Sequence, residues 1–284
     1  MNQLDRMPTV NRKKIGDTVV TLLSDGYIDG SFTLLNDIDE GQAETLLAQR
    51  GVPAIPRINI NAYVLQTAEH TILVDSGMGG LHGGGGDLQA ALAAAAIDPL
   101  QIDTILLTHA HPDHIGGLIT PSSVPLFPNV QQLFIHEKEL AFWESETAFA
   151  SVNENMRANF APARKALGSY SDRLVPFNHE AILPGIQAVP LFGHTPGHCG
   201  YLLGNERESL LIWGDIVHFP HIQTAQPEVT VAFDNDPAAA AQARKAILER
   251  AVSDNLTVSG MHFNTPASGT VRREGRGYRL DYDF

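Results

Sequence analysis

The chain has 284 residues, 43% hydrophobic and 18% charged, and its 32 acidic and 19 basic side chains give a formal net charge of −13. That apolar share excludes wholesale disorder, and the acidic balance argues against a nucleic-acid binder, which needs a basic surface facing the phosphates. One cysteine, Cys199, excludes an intrachain disulfide and an all-cysteine metal site, and it points to the cytoplasm, because oxidising compartments favour paired cysteines.

The first 15 residues are polar, with Arg12, Lys13 and Lys14 late in the run, and no apolar signal-peptide core follows. They read as an N-terminal arm of about residues 1–17. Residues 18–23 and 59–66 read as strands, and 71–74 as an apolar strand closed by the turn Asp75-Ser76-Gly77. A Gly-rich loop covers 79–86. Asp87 is then placed to cap a helix over 88–97, with Leu88, Leu92 and Ala96 on its inner face. This is the longest nearly apolar run of the chain, and it is too short to cross a bilayer. Residues 104–107 form a short buried strand. A helical insertion is expected over about 136–168, with Pro162 inside it, and its Phe142, Trp143, Phe149 and Phe160 either wall a pocket or pack the core. Strands are expected again at 186–191, 200–203, 209–213 and 256–259. Between the last two, Asp236-Pro237 supplies an N-cap and a first-turn proline for a helix to about 251, with Ala240, Ala243, Ile247 and Ala251 turned inward. A Gly-rich tail closes the chain. No linker or repeat interrupts it, so 1–284 is expected to be a single domain. Strands and helices recur in two similar halves, which predicts an α/β (α+β) fold of two sheets covered by helices, not one long parallel sheet.

Four segments carry chemistry, each just past a predicted strand. Thr108-His109-Ala110-His111-Pro112-Asp113-His114 packs three imidazoles and a carboxylate into six residues. A tight loop can direct His109 and His111 to one metal ion and Asp113 and His114 to another, since imidazole and carboxylate are what Zn²⁺ and similar ions take. Gly116-Gly117 lets the backbone turn away afterwards. In Gly193-His194-Thr195-Pro196-Gly197-His198, His194 is the candidate for a third imidazole beside His109 and His111, while His198 supports or packs. Asp215 ends an apolar strand, where a carboxylate is costly unless paired or metal-bound, and its two oxygens suit a bridge between two ions. His262 follows the last core strand and offers the second ion an imidazole.

In order and spacing, His109-x-His111-x-Asp113-His114, Gly193-His194-Thr195, Gly214-Asp215 and His262 resemble the metallo-β-lactamase superfamily over about residues 18–282. The resemblance implies an αββα sandwich of two mixed sheets with a dinuclear metal centre at the sheet edges. His109, His111 and His194 would hold one ion, and Asp113, His114 and His262 the other, with Asp215 bridging. Asp75 resembles the family's supporting aspartate. Within the superfamily, Trp213-Gly214-Asp215-Ile216-Val217-His218, Phe233-Asp234-Asn235-Asp236 with its Ala-rich helix, and the stretch from Val271 to Tyr278 resemble the methyl parathion hydrolase-like branch. After His262, residues 263–269 depart from the Phe-Pro-Gly expected there. At 218, where acyl-homoserine lactonases usually carry tyrosine, this chain has histidine.

The expected protein is therefore a dinuclear metal-dependent hydrolase that attacks a lactone or ester carbonyl with a metal-bridging hydroxide. Zn²⁺ is the default metal, and Mn²⁺, Co²⁺ or Fe²⁺ also suit the ligands. Asp113 orients the nucleophile and collects a proton, and His218 reaches the oxyanion or leaving group. The partner is a small neutral ester or lactone, with organophosphate triesters as promiscuous substrates; neither nucleic acid nor membrane is expected, and a homodimer is admitted. The alternatives are a methyl parathion-type organophosphate hydrolase, a β-lactamase, or a metal-binding protein that has lost catalysis.

Overall fold

The computed structural model describes residues 10–205, 208–264 and 268–283. Its strands in chain order are β1 (Val10–Ile15), β2 (Thr18–Asp29), β3 (Leu35–Asn36), β4 (Arg57–Gln66), β5 (Thr71–Val74), β6 (Thr104–Leu106), β7 (Gln132–His136) and β8 (Leu174–Phe177). There follow β9 (Ala181–Leu183), β10 (Ile186–Pro190), β11 (Cys199–Gly204), β12 (Ser209–Ile212), β13 (Thr230–Val231), β14 (Thr257–Ser259), β15 (Gly269–Glu274) and β16 (Gly277–Tyr282). The helices are α1 (Glu40–Gln49), α2 (Leu88–Ala94), α3 (Pro112–Ile115), α4 (Glu137–Glu144), α5 (Glu146–Ser151), α6 (Glu154–Gly168), α7 (Pro220–Gln223) and α8 (Pro237–Ser253). The chain divides into two compact units, one of residues 10–27, 59–135 and 140–177, the other of 28–58, 136–139 and 178–283.

The first unit is built on a seven-stranded sheet in the order β1-β2-β4-β5-β6-β7-β8. It is mixed: β1 pairs antiparallel with β2 and β4 with β5, while β5, β6 and β7 run parallel. Apolar residues of β4, β5 and β6 pack with Leu88, Leu92, Trp143, Phe160 and Tyr170 in one core. Trp143 and Phe160 are fully buried there, and Phe142 and Phe149 lean on the same cluster half-buried. Of the two readings of these aromatics, core packing is the one found. The expected helical insertion is three helices, α4 to α6, and α6 accommodates Pro162.

Three local expectations are corrected in this unit. The arm is a strand from Val10 onward: β1 carries Arg12, Lys13 and Lys14 on the edge of the sheet, where charge protects unpaired backbone from association. Residues 1–9 lie outside the described residues. Asp87 makes no side-chain cap on α2; the backbone N–H of Leu88 instead donates to Asp25 (2.8 Å), whose carboxylate also accepts from Met78 (2.7 Å) and Gly79 (3.4 Å). Asp25 is fully buried and so fastens both ends of the Gly-rich loop. The helix ends early, at Ala94, and Ala96 is exposed in a left-handed conformation, so Ala95 takes the inner position instead.

The second unit carries a mixed seven-stranded sheet, β16-β15-β14-β12-β11-β10-β9, antiparallel throughout except for the parallel pair β12 and β14. The expected Gly-rich tail is the β15–β16 hairpin. A small antiparallel ribbon of β3 and β13, with α1, encloses a second core of Phe32, Leu35, Leu47, Phe219, Ile222 and Val231. Asp236 caps α8 by accepting from Ala239 N–H, with Pro237 at the first helical position, as expected. The inner face of α8 is Ala240, Arg244, Ile247, Leu248 and Ala251. Ala243 is half-buried, and a fully buried arginine stands on the inner stripe. Among the described residues no helix is long and apolar enough to cross a membrane.

Candidate metal centre

In the first unit, β5 delivers Asp75, a non-glycine residue at φ 54°, to the end of the sheet beside the turn that follows β6. The Asp75 carboxylate accepts from the Thr108 N–H (2.8 Å), the Thr108 hydroxyl (2.6 Å) and His114 Nδ1 (2.7 Å). Ser76 N–H and the Ser76 hydroxyl both donate to the His114 carbonyl. The His114 ring is thereby fixed with Nε2 outward, 3.5 Å from an Asp113 oxygen. His111 is the N-cap of α3, with Pro112 at the first helical position. His109 Nε2 and His111 Nδ1 face each other at 3.0 Å. The three imidazoles are buried and Asp113 is half-exposed. Trp143 packs edge-on against His111, at 5.7 Å between ring centroids.

Gly116-Gly117 was expected to supply conformational freedom, and the geometry corrects this. Gly116 has ordinary helical angles (φ −63°, ψ −34°). A Cβ on it would overlap the Met78 carbonyl, and one on Gly117 the Ser76 carbonyl. These glycines let the 114–117 turn press against the 76–78 turn.

In the second unit, Asp215 follows β12, and its backbone N–H donates to His198 Nε2 (2.9 Å). His198 Nδ1 in turn donates to the Leu191 carbonyl (2.8 Å). Around Asp215 Oδ2 stand three imidazole nitrogens: His262 Nε2 at 2.9 Å, His218 Nε2 at 3.2 Å and His194 Nε2 at 3.5 Å. None of the four side chains is more than 2% exposed. His194, Asp215 and His218 by themselves form a group able to hold a metal ion. The His218 backbone N–H donates to Gln223 (2.6 Å), while its Nδ1 is buried without a hydrogen-bond partner. Burial lowers the His218 pKa to about 4 against the opposing pull of Asp215, so the ring is neutral at pH 7.

Sequence reasoning missed three side chains of this unit. Glu139 is fully buried and accepts from the Thr195 hydroxyl (2.6 Å) and Gly197 N–H (3.0 Å), so it shapes the turn after His194. Asp234 is bonded to His194 Nδ1 at 2.9 Å, and Arg244 lies beyond it. The pattern Phe233-Asp234-Asn235-Asp236 did draw notice, but only as family likeness. Residues 265–267, within the departure noted after His262, lie outside the described residues.

Residues 55–262 match the model of the metallo-beta-lactamase superfamily. The chain belongs to that superfamily, and its two mixed sheets with their helices are the metallo-β-lactamase fold. It is 28% identical, with a TM-score of 0.90 over 97% of both chains, to a crystal structure described as the hydrolase AbOPH in the beta lactamase superfamily. The fold is shared with AidC, a dizinc quorum-quenching lactonase solved with its product, at 23% identity and a TM-score of 0.90 over 98% of both chains. A probable metallo-hydrolase, YybB of Bacillus subtilis (strain 168), is 26% identical over 56% of this chain. The chain spans only 61–63% of the length of the first curated relatives it matches.

Proposed function

We propose that the chain is a dinuclear metal-dependent hydrolase acting on a neutral lactone or ester, its two units serving as one catalytic domain. The observation that carries the reading is the convergence of three buried imidazoles on one oxygen of Asp215. Burying a carboxylate among imidazoles is costly, whereas the same donors are those that divalent ions select. The nitrogens that would bind are also set: His114 and His194 each present Nε2 because Nδ1 is bonded to a carboxylate.

In this reading His109, His111 and His194 would hold one ion, Asp113, His114 and His262 would hold the other, and Asp215 would serve both. Two divalent ions, zinc by default, would supply Lewis acidity and bring the pKa of a shared water toward neutrality. Asp113, the half-exposed member, orients the nucleophile and takes up its proton. His218 is a hydrogen-bonding partner for the developing oxyanion or leaving group. Being neutral, it does not serve as an imidazolium acid. A neutral substrate fits the acidic chain better than a phosphodiester. The motif likeness to the methyl parathion hydrolase-like branch keeps organophosphate triesters as secondary substrates.

The first test is kcat/KM on a long-chain acyl-homoserine lactone, with zinc-replete protein and proton release as the signal. A value above ~10⁴ M⁻¹s⁻¹, in the range of evolved enzymes, is expected. Exhaustive chelation should abolish turnover and zinc should restore it. A rate orders of magnitude lower would move the assignment to aryl esters and organophosphate triesters, and turnover indifferent to chelation would end the metal reading. For His218→Ala, kcat should fall by roughly 10²–10³-fold, the order expected for the loss of one transition-state hydrogen-bonding group. An unchanged kcat would remove His218 from the mechanism.

A further inference from the structure

We infer that the buried pair Asp234 and Arg244 is the positioning device for His194, fixing its imidazole as the Nδ1–H tautomer with the lone pair on Nε2. The functional consequence rests on the reading of His194 as a metal ligand; the tautomer is a property of the chain alone.

Asp234 Oδ1 lies 2.9 Å from His194 Nδ1, and neither side chain is exposed. The other oxygen, Oδ2, accepts from Val231 N–H at 3.1 Å. An ionised carboxylate can only accept, so the nitrogen facing it carries the hydrogen and the lone pair stays on Nε2.

Arg244 supplies the countercharge and the scaffold. Its guanidinium is wholly buried, with Nη2 3.9 Å from Asp234 Oδ2. Nε donates to the Ile216 carbonyl (2.5 Å), and Nη1 donates to the carbonyls of Pro227 (2.9 Å) and Val229 (2.7 Å). Ile216 adjoins Asp215, so one arginine ties the turn bearing Asp215 and His218 to the segment bearing Asp234. Main chain completes the clasp: Asn235 N–H donates to the His194 carbonyl and Asp236 N–H to that of Gly193. Gly193 sits at φ 131°, where a Cβ would overlap the backbone of Ala240 at the start of α8. A ring held this firmly by a paired carboxylate is the arrangement that orients histidine ligands, and neither Asp234 nor Arg244 needs to touch substrate.

The test uses full-length protein labelled with ¹⁵N-histidine, as apoprotein and with two equivalents of zinc. In the apoprotein the ¹⁵N shifts of His194 should report Nδ1–H. In Asp234→Asn that preference should be lost, and competition with a chromophoric chelator should show one zinc equivalent held 10–100-fold more weakly and the other unchanged. Arg244→Lys, which keeps the charge but not the three-carbonyl grip, should weaken the same equivalent by less. An Nε2–H tautomer in the wild-type apoprotein would overturn the inference even if no variant folds, and so would unchanged binding of both equivalents in Asp234→Asn. A wild-type protein with the Nδ1–H tautomer that retains no zinc would uphold the positioning of the ring and overturn the metal reading of the site.

Discussion

Asp215→Asn is expected to lower kcat/KM by about 10³-fold or more while leaving the metal-free protein as stable as the wild type, or slightly more so. The activity loss follows from the three imidazole nitrogens that lie 2.9–3.5 Å from Oδ2. An amide has one oxygen and no charge, so it cannot serve two cations, and pre-set charge in a dry site is where catalysis loses most when a group is removed. The stability expectation has the opposite sign. In the metal-free protein the carboxylate is a buried charge that Asn removes at nearly equal volume. The bond from the residue 215 N–H to His198, which fixes the turn, involves only backbone and survives. Steady-state kinetics on zinc-replete protein and thermal unfolding in chelator check the two halves. A variant within tenfold of wild-type kcat/KM would remove Asp215 from the centre. A loss of apoprotein stability larger than about 2 kcal/mol would recast the carboxylate as structural.

How much of this was legible in the sequence depended on whether the informative partners are near in the chain. His109, His111, Asp113 and His114 could be read because four ligand side chains stand in six residues behind a short apolar strand, and that strand is β6. His194, Asp215 and His262 each stand three or four residues past a strand that apolar runs made visible, β10, β12 and β14. Charge misled where it overrode periodicity. Arg244 lies four residues after Ala240 and three before Ile247, squarely on the apolar stripe of α8, and its partners at 216, 227, 229 and 234 are all distant enough to be invisible locally. Basic residues likewise hid β1 as an arm and the β15–β16 hairpin as a tail, although both are edge elements, where Lys and Arg are common. Asp25 gave no signal because its backbone donors lie more than 50 residues away.

Gly117→Ala should destabilise the protein by about 3 kcal/mol, the upper range for forcing atoms into a packed site. That corresponds to a fall in Tm of roughly 6–12 °C for a chain of this size. The cause is crowding, not backbone conformation. A Cβ at 117 would run into the Ser76 carbonyl, and the neighbouring turns have no slack to give: Ser76 N–H and its hydroxyl both donate to the His114 carbonyl, and Gly117 N–H donates to that of Gly77. Relief can come only by separating the turn that carries Asp75 from the one that carries Thr108 and His114, which lengthens the three hydrogen bonds on which the His114 ring depends. The same substitution should therefore weaken metal retention, a coupling that a remote packing defect would not produce. Gly168→Ala is the control: it lies in α6 with nothing near the added methyl, and should be neutral or stabilise by up to about 1 kcal/mol. Chemical denaturation of both variants separates the two expectations, and equal stabilities would show that the 76–78 and 114–117 turns are less tightly opposed than their hydrogen bonds require.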